Sequence, residues 1–312
     1  MIGLLQVVIP VFLVAGAGYV AVRLRYFSDS VIDGLNVYTQ RFAIPVLLFR
    51  AAMDLDLRAV FDPGLLLSFY TGAAISFALG IVGARLLFRR RPGEAVAIGF
   101  GALFSNSVIL GIPIVERAFG QDALTATFAI VSIHAPFCYL LGITVMEISR
   151  ADGRGPAATA RAVVRAMLHN ALMIGLALGF AVNLSGLVLP EPARAGVDLV
   201  AGAASPVALF GLGGVLTRYR VAATLGPVAM VAGLSLIVHP GIAYGLAVYV
   251  FDLSPVFTQA AVLTAAMAPG VNTYVFATLY SRAEDVAASA VLVATALSVL
   301  TISVWLSILA AV

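Results

Sequence analysis

Lysine is absent from this chain, and all 18 of its basic residues are arginine. A GC-rich genome explains that bias better than chemistry does, since arginine marks membrane topology as well as lysine. Acidic residues are also scarce, 15 in 312, and none falls plainly inside an apolar run: Glu116, Asp122, Glu147, Asp198, Glu284 and Asp285 lie at or beyond run ends. That argues against a mid-membrane carboxylate relay for protons or sodium. The single cysteine, Cys138, sits within an apolar run, so neither a disulfide framework nor a thiolate metal cluster can be built. Strand-length alternation of polar and apolar residues is missing, which argues against an outer-membrane barrel. H-E-x-x-H, a Walker loop and Cys-His pairs at metal spacing are all wanting. The glycine-rich "GFGALFSNSVILG" follows no strand, so a nucleotide loop is rejected. No enzymatic activity, cofactor, metal site or nucleic-acid partner is expected.

What is present is apolar surface. With 62% hydrophobic residues, 11% charged residues and a mean hydropathy of +1.07, the chain is too apolar for a soluble domain and reads as an all-α integral membrane protein. Ten runs approach the length needed to cross about 30 Å of hydrocarbon. They cover 3–23, 31–52, 64–88, 95–118, 123–147, 163–187, 195–217, 224–250, 256–280 and 286–311. The first has no basic residue before it and Arg23 and Arg25 after it, the reverse of a cleavable signal peptide, so it is read as a retained helix. Thirteen arginines fall in the connections after the odd-numbered runs, but only Arg50, Arg58, Arg117 and Arg194 in those after the even ones. The odd connections are therefore expected to be cytoplasmic, with both termini outside the cytoplasmic membrane.

The polar stretch "SRADGRGPAATARAVVR" divides the chain into repeats at 1–150 and 163–312, with a cytoplasmic connection at 151–162. Five crossings per half is an odd number, so similar halves would be inverted with respect to each other. "PVLLF" from Pro45 and "PVALF" from Pro206 fall on corresponding runs two and seven.

Runs four and nine carry the strongest local signals. "FSNSVILGIPIV" holds Ser105, Asn106, Gly111 and Pro113; "MAPGVNTYVFATLY" holds Pro269, Gly270, Asn272 and Thr273. A proline inside a membrane helix frees backbone groups, tolerated there only when buried in protein or lining a wet cavity. Both helices are expected to break and cross, offering amide side chains and half-helix N-termini to an anionic group. The plainer alternative is interhelical packing, for which Gly, Ser and Thr are enriched, but its occurrence on equivalent runs favours the site. Arg41, on the same helical face as Pro45, either attracts an anion or pairs at the helix's polar end. His134 and His239 are candidates for carrying a coupling proton, although neutral hydrogen bonding is the commoner role in membranes. Asp33 and Asn36 read as caps of the second helix.

Together these residues resemble the auxin efflux carrier family, the bacterial permeases and plant carriers of organic acids. The resemblance covers essentially the whole chain and rests on "SNSVILGIPIV", "FAIPVLLF" and "APGVNTYVFATLY". It implies broken helices four and nine crossing at the binding site. It also implies an elevator motion in which helices one, two, six and seven form a scaffold, paired as a homodimer through helices two and seven. Asn106 matches the family's helix-four asparagine, Asn272 the polar position after the helix-nine proline, and Pro269 that proline. Ser105 stands where plant carriers have a proline, so the break in run four is expected to depend on Gly111 and Pro113.

The expected function is secondary transport of a small organic acid, malate-like or auxin-like, across the lipid bilayer. Two alternatives stand beside it: a sodium-coupled symporter of the bile-acid type, and a membrane receptor that binds without transporting.

Overall fold

The computed structural model describes residues 2–54, 62–150, 161, 171–219 and 225–311. Among them the regular structure is helical, apart from one isolated antiparallel bridge between Ser105 and Pro269. The helices are α1 (Ile2–Arg23), α2 (Asp29–Tyr38), α3 (Ile44–Met53), α4 (Pro63–Leu86), α5 (Pro92–Leu103) and α6 (Ile112–Arg150). There follow α7 (Ala171–Ser185), α8 (Glu191–Leu216), α9 (Leu225–Gly233), α10 (His239–Tyr249), α11 (Pro255–Ala265), α12 (Asn272–Tyr280) and α13 (Glu284–Leu309). Among the described residues five helical stretches are long and apolar enough to cross a membrane: Pro63–Leu86, Ser107–Ser149, Glu191–Leu216, Leu225–Tyr249 and Glu284–Leu309. The connection expected at 151–162 lies outside the described residues, save Arg161.

Proline and glycine account for most helix boundaries. Pro63, Pro92 and Pro255 begin α4, α5 and α11, where a missing N–H costs nothing and φ is already helical. Asp62 and Ser254 cap two of these starts by accepting from Leu65 N at 2.9 Å and Phe257 N at 3.4 Å. Within α6, Gly120 (φ 76°, ψ −162°) breaks the helix, a backbone conformation that a side chain would strain.

Some prolines inside the apolar runs act differently, while Pro10, Pro136 and Pro206 sit within α-helices. Among the described residues three π-helical turns occur, at Thr39–Ala43, Ser107–Gly111 and Leu234–Val238, and each is followed two residues later by a proline: Pro45, Pro113 and Pro240. Proline cannot donate to the carbonyl four residues back and its ring crowds that carbonyl; widening the preceding turn relieves both. The Leu236 carbonyl, four residues before Pro240, accepts instead from Trp305 Nε1 at 2.9 Å.

The chain folds as two compact units, each drawn from both halves of the sequence. One comprises Pro10–Val60 and Val164–Arg218. Here α1 and α8 approach so closely that a Cβ at Gly18 would meet the Phe210 carbonyl and one at Gly213 the Ala15 carbonyl; α7 likewise meets α3 at Gly175 and the Pro45 carbonyl. Charged pairs join the ends of the helices. Arg218 Nη1 lies 2.6 Å from Asp33 Oδ1 and its Nε 3.2 Å from Asp29 Oδ1. Beyond the other end of α3, Arg194 pairs with Asp54 at 2.9 Å, and Arg50 with Asp198 at 3.2 Å. Asp33 is thus a salt-bridge partner rather than a cap, since Ser28 holds the N-cap position of α2. Asn36 also lies inside α2, with its Oδ1 where a Cβ at Gly211 would go.

The other unit comprises Met1–Ile9, Phe61–Val163 and Tyr219–Val312. Its core is built from small and branched side chains, including Ala84, Ala95, Ile98, Val228, Val231, Val286 and Ala290. It contains both interrupted segments.

Candidate functional site

Helix α5 stops at Leu103 because the backbone turns extended at Phe104 (φ −96°, ψ 90°) and helical structure resumes only at Ser107. On the opposite arm α11 ends at Ala265 and α12 starts at Asn272. The two extended stretches pair. Asn106 N donates to the Ala268 carbonyl at 2.8 Å and Gly270 N donates to the Phe104 carbonyl at 3.0 Å, closing the bridge between Ser105 and Pro269. Two broken helices thereby satisfy each other's freed backbone groups in a place where no water-exposed turn could serve.

The break in the first arm lies at Phe104–Asn106, upstream of Gly111 and Pro113. Gly111 still touches the crossing, because its N–H donates to the Asn106 carbonyl at 3.0 Å, alongside Leu110 N at 3.2 Å. Pro113 follows the π turn and enters α6. A Cβ at Gly111 or Gly270 would meet its nearest atoms at 3.5 Å or more, ordinary contact distances.

Side chains at the crossing are polar and left over. Seven buried side-chain polar atoms lack a hydrogen-bond partner among the described residues, and four are here: Ser105 Oγ, Asn106 Nδ2, Ser107 Oγ and Thr273 Oγ1. Native proteins seldom leave such groups unpaired, and a cluster of them asks for a reason. Asn106 N-caps the π turn, while Asn272 opens α12, so both amides stand at half-helix N-termini where partial positive charge gathers. Asn272 Oδ1 accepts from the Tyr139 hydroxyl at 3.1 Å.

Helix α6 lines the crossing with groups that the sequence reading did not single out as site residues. Tyr139 is one; Cys138 is another, its thiol 3.8 Å from the Leu103 carbonyl and 3.7 Å from His134 Nδ1. Around them Phe100 stacks on Phe276 with centroids 3.9 Å apart, and Phe104 packs edge-on to His134 and Tyr139. A tyrosine or phenylalanine in an apolar run carries no periodic or motif signal that would have marked it.

The two histidines part company. His134 Nε2 lies 3.2 Å from the Ser105 carbonyl; a carbonyl only accepts, so Nε2 carries the hydrogen there. His239 Nε2 is 3.1 Å from the Phe69 carbonyl and contributes nothing directly to the crossing. Arg41 belongs to the other compact unit, in the π turn before Pro45, beside a shallow cavity of about 270 Å³ lined by Phe42, Val46, Phe49, Ile174 and Leu178.

A family model described as "Membrane transport protein" matches residues 4–306. A protein of Rhizobium meliloti (strain 1021) named "Putative malonate transporter" is 24% identical over 300 residues, covering 95% of this chain and 92% of that one. An "Uncharacterized transporter" of Methanothermobacter thermautotrophicus is 26% identical over 308 residues and covers 97% of each chain.

Proposed function

The chain belongs to the membrane transport protein family, the auxin efflux carrier group, and we propose that it is a secondary transporter moving small organic anions across the cytoplasmic membrane. The observation that carries this reading is the set of four unpartnered polar atoms at the crossing of two broken helices. Three hydroxyls and an amide donor, joined by the N-termini of the half-helices, suit an acceptor-rich ligand such as a carboxylate. The name of the Rhizobium relative makes malonate the first acid to try.

In this reading the ten apolar runs are ten crossings, arranged as inverted repeats at 1–150 and 163–312. The orientation that the arginines favour puts both termini outside. The unit of Pro10–Val60 and Val164–Arg218 is the scaffold, and the unit holding the crossing carries substrate by an elevator motion; the sequence make-up of the two compact units supports that assignment. Pairing as a homodimer would run through the second and seventh spans. His134 acts as a neutral clamp on the Ser105 carbonyl, and Arg41 attracts anions toward the scaffold side.

The test is binding and counterflow in proteoliposomes with malonate, malate, succinate and indole-3-acetate, for wild type and for Asn106→Ala and Asn272→Ala. Loss of a charge-assisted hydrogen bond of about 1.5–3 kcal/mol should weaken binding of the best acid roughly tenfold to a hundredfold. Wild-type binding without counterflow would make the protein a receptor, and an absolute sodium requirement would make it a sodium symporter. Full binding by both variants would remove the crossing as the site.

A further inference from the structure

We infer that Tyr139 is a positioning residue that sets the polarity of the site, holding the Asn272 amide so that its NH₂ rather than its oxygen is left for the ligand. The inference rests on the proposed crossing site and adds the source of its preference for anions. An asparagine side chain is ambivalent, with an acceptor oxygen and a two-hydrogen donor on one rotatable plane. Left free, it offers either end and cannot by itself tell a carboxylate from an amide.

The geometry removes that freedom. The Tyr139 hydroxyl donates to Asn272 Oδ1 at 3.1 Å, while Asn272 Nδ2 makes no hydrogen bond among the described residues. Turning the amide over would point Nδ2 at the phenol oxygen and leave the phenol proton without an acceptor in a largely apolar setting, the costlier arrangement. Phe100 and Phe104 hold the Tyr139 ring, their centroids 5.8 and 5.7 Å from it, so the hydroxyl's position does not depend on Asn272. The opposite arm is treated in the same way by the same helix. Five residues earlier on α6, His134 donates to the Ser105 carbonyl, on the residue next to Asn106. On both arms α6 engages an acceptor beside polar groups that have no partner among the described residues: Asn106 Nδ2 and Ser105 Oγ on one, and Thr273 Oγ1, next to the Asn272 amide, on the other. With its oxygen engaged by Tyr139, the Asn272 amide presents its NH₂ to a carboxylate and no acceptor to a group that brings hydrogens of its own, while the hydroxyls of Ser105, Ser107 and Thr273 serve as either donor or acceptor.

The experiment compares an acid with its amide. The probes are whichever of malonate, malate, succinate and indole-3-acetate binds wild type best and the compound in which each carboxyl is replaced by a carboxamide, measured by competition for the detergent-purified protein. Tyr139→Phe keeps the ring and loses only the hydroxyl. The acid-over-amide preference should fall by about tenfold, the worth of one hydrogen bond, chiefly through better binding of the amide as Asn272 turns to accept from it. As a second variant, Asn272→Asp retains the acceptor for Tyr139 but replaces the NH₂ by oxygen; it should lose the acid at least as completely as Asn272→Ala does. Melting curves for each variant separate a folding defect from a change in selectivity.

An unchanged preference in a folded Tyr139→Phe protein, or acid and amide weakened equally, would overturn the inference while leaving the crossing site intact. A preference that rises would mean that the amide sits the other way round. If no acid in the panel binds wild type, the proposed function fails first and this inference falls with it.

Discussion

The two compact units use their polar groups differently. In the unit of Pro10–Val60 and Val164–Arg218, charged groups find partners: Arg218 with Asp29 and Asp33, Arg194 with Asp54, Arg50 with Asp198. Its helices meet backbone to backbone across Gly18, Gly213 and Gly175. In the unit that contains the crossing, the ion pair of Arg90 with Glu94 is a local one at 3.9 Å, while four polar atoms at its centre have no hydrogen-bond partner among the described residues. The first unit spends its polar groups on stability. The second keeps some in reserve, and unpaired donors in a buried place are what a ligand can use.

The largest expected difference concerns glycine. Gly213→Leu should abolish a monodisperse folded species, because its Cβ meets the Ala15 carbonyl and backbone cannot swing aside as a side chain can. Overpacking costs about 1–3 kcal/mol even where neighbours can shift, and here they cannot. Gly270→Ala, in the crossing, should change the melting transition by less than about 0.5 kcal/mol, since its nearest contact would be Phe104 Cδ1 at 3.5 Å. Size-exclusion profiles and melts in detergent read both. Equal tolerance at the two positions would show that the scaffold-like unit is no tighter than the crossing.

A second comparison sets one amide against another. Asn183 Nδ2 donates to the Met53 carbonyl at 2.8 Å, so Asn183→Ala leaves that carbonyl short of a donor and should cost about 1 kcal/mol. Asn106 Nδ2 has no partner to lose among the described residues. Asn106→Ala should therefore melt at or above the wild-type temperature while binding ligand worse, so that stability and affinity move in opposite directions. If Asn106→Ala is the less stable of the two, its amide is structural and the reserve argument fails.

How much of this was legible in the sequence differs between fold and site. The all-helical, strongly apolar character was, because apolar runs act locally; Pro63, Pro92 and Pro255, which start three of the helices, were not singled out. Break positions were less legible. Pro113 and Pro269 promised interruptions; Pro269 does stand in the gap between α11 and α12, yet Pro113 is accommodated by a widened turn and the break in the first arm falls at Ser105, where no proline stands. That break exists because Phe104 and Asn106 pair with Ala268 and Gly270 on the other arm, a tertiary cause that no local pattern encodes. Asn106, Asn272 and Thr273 were visible as misplaced polar residues. Tyr139 was not, since its role depends on which side of α6 faces the crossing. The charged pairs were hidden for the same reason: Asp33 looks like a cap until Arg218, 185 residues away, is brought beside it.

The smallest effect expected is that of one such pair, and it tests whether the charges align the helices or only decorate their ends. Arg194 and Asp54 are 2.9 Å apart, but their side chains are 45% and 43% exposed, so water and salt screen them heavily. A double-mutant cycle with Arg194→Ala and Asp54→Ala should give a coupling of about 0.2–1 kcal/mol. Raising the salt concentration should shrink it, because the Debye length falls from about 10 Å at 0.1 M to 3 Å at 1 M. Exchanging the charges, Arg194→Asp together with Asp54→Arg, should recover most of the loss, whereas either reversal alone leaves two like charges facing each other. A coupling that persists at high salt would mean the pair is shielded from solvent in the assembled membrane protein and holds the helix ends together more firmly than its exposure suggests. No coupling at any salt would leave the packing of the two helices against each other as what keeps α3 and α8 in register.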